Sequence, residues 1–177
     1  MRLAAAEPQV APGVSLRIVQ PNVPQEQKWR EDNARAIFDQ LKHLSAMPTD
    51  ERPEGIGGVS HLVWPESAVP FLIDENEVAR AELKPMLGGR TALITGSIRV
   101  DRDGGGEQPD VFNSIIVFDG EAEPLARYDK WRLVPGGEFL PLGWLLEPLG
   151  FRKVVQTPGN FTAGQGPVSL LLPGGLK

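Results

Sequence analysis

Three charged residues stand where their surroundings could give them chemistry. Glu66 closes the run His61-Leu62-Val63-Trp64-Pro65-Glu66. A carboxylate at the C-terminal end of a strand, beside apolar Trp64 and Pro65, can have its pKa raised by desolvation and serve as a general base. The other reading is a surface glutamate in a proline turn. Lys130 lies in Tyr128-Asp129-Lys130-Trp131-Arg132, where a lysine at a strand end can stabilise an oxyanion; the other reading is a solvated lysine between two aromatics. Glu138 follows Gly136-Gly137. The glycines allow close backbone approach, so the carboxylate could hold Lys130 in place, or could be a turn glutamate. Glu66 and Glu138 could also form a glycosidase carboxylate pair, although the surrounding residues do not favour it.

Bulk properties narrow the remaining chemistry. The 177 residues suit one domain, and 41% hydrophobic against 23% charged residues is an ordinary globular balance. A net charge of -5 and a basic stretch, Arg127 to Arg132, interrupted by Asp129 argue against a nucleic-acid partner. There is no cysteine, which excludes disulfides, a cysteine nucleophile and a thiolate metal site within these residues. With His43 and His61 as the two histidines, a multi-histidine metal site is not expected, and neither metal nor cofactor is implied. No apolar run approaches the roughly 18 residues of a membrane span. Met1 to Ala6, ended by Glu7 and Pro8, is too short for a signal peptide, and Met1 to Gly13 reads as a linker or chain edge. Residues 14–177 read as the folded unit.

The elements that must position the three residues follow from periodicity. Ser15 to Val19 reads as a first strand, and Gln20 to Gln25, with two prolines, as a loop. Ala34, Ile37, Phe38, Leu41 and Leu44 share one helical face, with Arg35 and Asp39 paired on the wet side and Pro48 as the stop. His61 to Trp64 reads as a buried strand. Asp74, with Glu77, is the expected cap of a second helix closed by Pro85 and Gly88-Gly89. Thr91 to Val100, Val111 to Phe118 and Leu125 to Tyr128 read as three consecutive antiparallel strands joined by the turns Asp103 to Gly106 and Asp119-Gly120. Phe139 to Leu149 reads as a short helix and loop, and Val168 to Leu172 as a last strand. The order predicts mixed α/β, a sheet covered by helices on at least one face.

The wording of these segments resembles a known family. Trp64-Pro65-Glu66-Ser67, together with Tyr128 to Pro141 (YDKWRLVPGGEFLP), is similar to the nitrilase superfamily, and more narrowly to its apolipoprotein N-acyltransferase branch. Val19 to Gln25 followed by Lys28-Trp29, the strand Phe112-Asn113-Ser114, and Phe161-Thr162-Ala163-Gly164 fit the same branch. The resemblance covers roughly Ser15 to the end. It implies an α-β-β-α sandwich, incomplete at the C-terminus, and a Glu-Lys-Cys triad. Glu66 would be the general base, Lys130 the oxyanion-stabilising lysine, and Glu138 the second glutamate that supports the lysine. Trp29 falls in the substrate-side loop, where a core or rim tryptophan is the equal alternative. Two positions depart from the pattern: Arg132 stands where the family usually has histidine, and Gly136 where it has phenylalanine.

The resemblance places the nucleophilic cysteine after the strand that begins near Val168, beyond Lys177, so the chain by itself is expected to be inactive. It implies a phospholipid acyl donor and an apolipoprotein acceptor. It also implies a bacterial inner-membrane location through helices absent from this chain, with the catalytic domain facing the periplasm. The apolar stretch Phe139 to Leu149 could form an acyl-binding or membrane-facing lip, or ordinary core. A soluble nitrilase-family amidase and a non-catalytic binding domain of the same fold are the alternatives.

Overall fold

A computed structural model of the chain describes residues 11–103, 108–139 and 160–175. Strands β1 (Leu16–Ile18), β2 (His61–Val63), β3 (Ala92–Asp101), β4 (Asp110–Phe118) and β5 (Pro124–Asp129) form one sheet in the order β1-β2-β3-β4-β5. The first three are parallel, which requires crossovers between them; these are α2 (Ala34–Ala46), preceded by the short α1 (Gln25–Lys28), and α3 (Glu77–Leu87). From β3 onward the chain turns antiparallel, as the three turn-linked apolar runs predict. The α/β class is therefore as expected, with a mixed five-stranded sheet. The described residues supply one helical layer and one sheet.

The core lies between that sheet and the two helices. Ile37, Phe38 and Leu41 of α2 and Ala79, Leu83 and Leu87 of α3 pack on Leu62, Trp64, Leu93, Ile116 and Phe118, all buried. On the wet side Arg35 pairs with Asp39 at 2.7 Å, one turn along its own helix, and with Glu82 of α3 at 2.7 Å, tying the helices together. The opposite sheet face carries Val63, Ile94, Ile115 and Tyr128. It is more open, with Ile18 75% and Ile115 40% exposed.

Some expectations are corrected. Asp74 does not cap α3: Asn76 does, its side chain accepting from the Ala79 amide at 3.0 Å. The helix starts at Glu77, and an N-cap reaches the amide three residues on, which only Asn76 can do. Asp74 keeps a buried Oδ1 that has no hydrogen-bond partner among the described residues, and burial pushes its carboxyl up. Pro85 lies inside the last turn of α3, and Gly88 in the left-handed region ends it. Val168 to Leu172 forms no strand; Leu172 alone is in a bridge, and Val168 and Leu171 are exposed. An apolar run needs a ladder partner to become a strand, and the described residues offer this one none of any length. The lip over Phe139 to Leu149, the turn Asp103 to Gly106 and the leader Met1 to Gly13 fall wholly or largely outside the described residues.

Trp64, which leads into Pro65-Glu66, is anchored from below. Its Nε1 donates to the Ser45 hydroxyl at 2.8 Å, and that hydroxyl donates to the Leu41 carbonyl at 2.7 Å. Both side chains are buried. Ser45→Ala leaves the indole N–H without a partner, which costs about 1–3 kcal/mol. Urea unfolding followed by tryptophan fluorescence should show that loss; an unchanged midpoint would mean that the indole finds another acceptor.

Candidate active site

Glu66 is held by its backbone rather than by burial. It sits in the turn after β2, where the Lys28 ammonium donates to its carbonyl at 2.9 Å. The turn lies directly on Gly96 of β3: a Cβ there would come within 2.5 Å of Glu66 Cα and 2.6 Å of the Ser67 nitrogen. The Gly96 amide donates to the Pro65 carbonyl at 3.2 Å and the Ala68 amide to the Gly96 carbonyl at 2.9 Å. Ser67 takes a left-handed φ of 46° to make the turn, an uncommon state for a non-glycine residue and one that the docking on Gly96 enforces. The Glu66 side chain stays 63% exposed, while Trp64 before it is buried.

Lys130 and Glu138 meet Glu66 from the far side of the sheet. Lys130 follows the last residue of β5, and its amide donates to the Asn113 carbonyl of β4 at 2.9 Å. Its ammonium donates to Glu66 Oε1 at 3.2 Å and to Glu138 Oε1 at 2.9 Å. Glu138 is fixed in a tight loop. Its amide donates to the Val134 carbonyl at 2.9 Å, its Oε2 accepts from the Val134 amide at 2.8 Å, and the Phe161 amide donates to its carbonyl at 3.1 Å. Gly136, where the family resemblance calls for phenylalanine, has φ 79° inside that loop, a conformation that suits glycine. Arg132 stacks on Trp131, 4.5 Å from the ring centroid.

Asn113 completes the cluster, and its role was not foreseen from the sequence. Its side-chain amide donates to Glu66 Oε1 at 2.5 Å and to Glu138 Oε1 at 2.6 Å. Both carboxylates only accept, so the amide must present its NH2 to them. Two donors, Lys130 Nζ and Asn113 Nδ2, thus share the same two acceptors. The available signal was a lone amide in the middle of the apolar strand VFNSIIVF; a buried amide needs partners, but nothing local says which.

The electrostatics follow from this arrangement. Burial raises the Glu138 carboxyl, yet hydrogen bonds from Asn113, the Val134 amide and Lys130 outweigh it and hold the group below the ordinary range. Burial lowers the Lys130 ammonium, yet Glu138 and Glu66 outweigh it and hold the group above the ordinary lysine value. Lys28 goes the other way: burial lowers it, with Glu66 offsetting only part.

All four residues line a cavity of about 330 Å³ that also includes Lys28, Trp29 and Phe161. Trp29 is therefore on the cavity wall, with its indole nitrogen buried and without a hydrogen-bond partner among the described residues. A second cavity of about 350 Å³ adjoins on the open sheet face. It shares Glu66, Asn113 and Lys130 and adds the largely apolar Val63, Ile94, Ile115 and Tyr128. Sequence reasoning thus named four residues, Glu66, Lys130, Glu138 and Trp29, that the fold brings to one place. Among the described residues no group of three or more His, Asp or Glu side chains is arranged to hold a metal ion, and no helix is long and apolar enough to cross a membrane.

The fold and the site define an α/β domain with a carboxylate–lysine–carboxylate cluster. No protein-family model matches the chain. The apolipoprotein N-acyltransferase of Allorhizobium ampelinum is 37% identical over 179 residues, covering 99% of this chain and 33% of that protein. The apolipoprotein N-acyltransferase of Rhizobium etli is 40% identical over 164 residues, covering 92% and 30%. By sequence, the chain is a homologue of part of the apolipoprotein N-acyltransferases, and it spans about a third of the length of the curated relatives it matches. Among solved structures, the amidase from Nesterenkonia sp. AN1 is 18% identical, covers 92% of this chain and 51% of that one, and has a TM-score of 0.45. That likeness is too slight to carry an argument about chemistry.

The shifts at Glu138 and Lys130 both stabilise the fold, with opposite pH dependence. A depressed carboxyl stabilises the fold above its unfolded pKa, and that contribution is lost as pH falls through the lower folded value. A raised ammonium stabilises below its unfolded pKa, and that contribution is lost as pH rises through the higher folded value. Glu138→Gln should therefore be less stable than the parent at neutral pH by about 1–2 kcal/mol. The gap should close as pH falls below about 4. Urea midpoints of both proteins across that range measure it, and a gap that persists unchanged in acid would contradict the charge-based account.

Proposed function

We propose that these residues form the carboxylate-and-lysine part of a cysteine-dependent acyltransferase site. The single observation that carries the reading is the Lys130 ammonium held between Glu66 and Glu138, in a chain homologous to proteins named apolipoprotein N-acyltransferase. The nucleophile is a cysteine outside these 177 residues, which contain none. Glu66, whose side chain is 63% exposed, takes the thiol proton. The thiolate attacks the ester carbonyl of a phospholipid, and the new C–S bond leaves a tetrahedral oxyanion. Lys130, kept protonated by its two carboxylates, stabilises that charge. Collapse expels the lysophospholipid alkoxide, which recovers the proton from Glu66, and leaves a thioester. The α-amine of an N-terminal diacylglyceryl cysteine then attacks the thioester, giving an amide and the free thiol. The chemistry is covalent catalysis in two half-reactions.

On this reading Glu138 and Asn113 orient, Trp29 lies on the substrate side, and the whole protein works at the periplasmic face of a bacterial inner membrane. The test uses the full-length protein with phospholipid and, separately, with small amides. A hydroxylamine-labile acyl-enzyme formed from phospholipid, and weakened roughly 10²–10³-fold in Lys130→Ala, is the expected result. Hydrolysis of small amides without acyl transfer would instead select the soluble amidase. The 177-residue chain alone should form no thioester, and acyl transfer by it would overturn the mechanism.

A further inference from the structure

Asp129 and Lys130 are consecutive residues whose side chains leave on opposite sides of β5. Lys130 reaches toward Asn113, Glu66 and Glu138. Asp129 reaches toward Ser114 and Arg99, on the helix side of the sheet. Arg99 belongs to β3, two strands away, and its side chain crosses beneath β4 to get there. It grips the carboxylate with both arms, Nε to Oδ1 at 3.0 Å and Nη2 to Oδ2 at 2.8 Å. The Ser114 hydroxyl adds a third hydrogen bond, to Oδ1 at 2.6 Å. The guanidinium itself is fixed by Asp101 at 3.1 Å and lies over the Phe112 ring, 4.3 Å from its centroid. Its side chain is only 7% exposed.

An ion pair taken largely out of water, with the Arg99 side chain 7% and that of Asp129 21% exposed, is a poor source of stability, because desolvating the charges offsets much of their attraction. What this one supplies is direction. Among the described residues β5 pairs only with β4. Its early half is loosely held, with Leu125 53% exposed and a register irregularity opposite Val117 and Phe118. Its last residue is clamped instead, by Arg99 and Ser114 on the side chain and by Gly164 on the backbone. A Cβ at Gly164 would lie 2.2 Å from the Asp129 carbonyl oxygen, and the Gly164 amide donates to the Lys130 carbonyl at 3.0 Å. We propose that Arg99, acting through Asp129 and together with Ser114, is a positioning residue that aims the Lys130 ammonium at Glu66 and Glu138. The geometric part stands on these contacts alone; its consequence for catalysis rests on the acyltransferase reading above.

The test separates aim from charge. Removing the Arg99 cation acts directly on Lys130 by raising its pKa, since a neighbouring positive charge is lost. Losing the aim acts in the opposite sense, because Lys130 moves away from its two carboxylates. Arg99→Gln is therefore titrated by NMR of isotopically labelled lysine side chains, with Lys84, paired with Glu121 on the distant helix surface, as the internal control. The proposal predicts that Lys130 titrates at lower pH than in the parent while Lys84 is unmoved and unfolding stays cooperative. An unchanged or higher Lys130 titration in the folded variant overturns it. Should Arg99→Gln not fold cooperatively, Ser114→Ala removes one hydrogen bond from the same carboxylate and is read in the same two ways. In the full-length protein the same variant should lower kcat about tenfold or more with KM little changed. If the NMR shift appears without that loss, the clamp stands and the acyltransferase role of Lys130 is what fails.

Discussion

One ammonium shared between two carboxylates is the constraint on which the rest of the site depends. Glu66 and Glu138 would repel each other at the separation that their common partners impose. Lys130 and the Asn113 amide, each donating to both, make that approach favourable. The three charged residues come from the turn after β2, the end of β5 and the loop beyond it. Glu66 and Lys130 are 64 positions apart in sequence. Only the sheet can bring them together, and much of the structure is a means of fixing those three ends. Gly96 lets the Glu66 turn lie flat on β3. The Asn113 carbonyl pins the start of Lys130. The Phe161 and Gly164 amides reach back to Glu138 and Lys130 and close the arrangement from the other side.

The division of labour between the two faces of the sheet follows from the same constraint. One face carries α2, α3 and the dry core, and from below it holds Trp64 and Asp129, the residues that flank the chemistry. The other face carries the charged cluster and an apolar floor of Val63, Ile94 and Ile115 beside it. Such a surface suits a reaction that needs a fixed charge next to a long apolar group. The polarity of each group is set by its partners more than by its depth. Glu138 is buried and still held ionised, because three donors meet its carboxylate.

Much of this was legible in the amino-acid sequence, for identifiable reasons. The β3–β4–β5 meander was readable because turn residues punctuate apolar runs, and α2 because Ile37, Phe38 and Leu41 repeat at helical spacing. Glu66, Lys130 and Glu138 were individually ordinary, and only the wording around them, shared with a family, grouped them. What could not be read depends on register across strands. Asn113 reaches Glu66 because β4 is phased to put Asn113 and Ile115 on one face and Ser114 on the other. Arg99 reaches Asp129 because Arg99 pairs with Phe112 and Ser114 with Asp129. Neither relation has a local signature. The misplaced cap is a smaller case: Asp74 and Asn76 are both good N-caps, and the helix start that decides between them is set by how α3 packs.

If Glu66 and Lys130 work as one unit, removing either should remove most of what both provide. The direct measurement is a double-mutant cycle on the rate of acyl-thioester formation in the full-length protein, using Glu66→Gln, Lys130→Ala and the pair. The account predicts strong non-additivity, with the double variant about as slow as the slower single one. Independent effects that multiply in the double variant would contradict it.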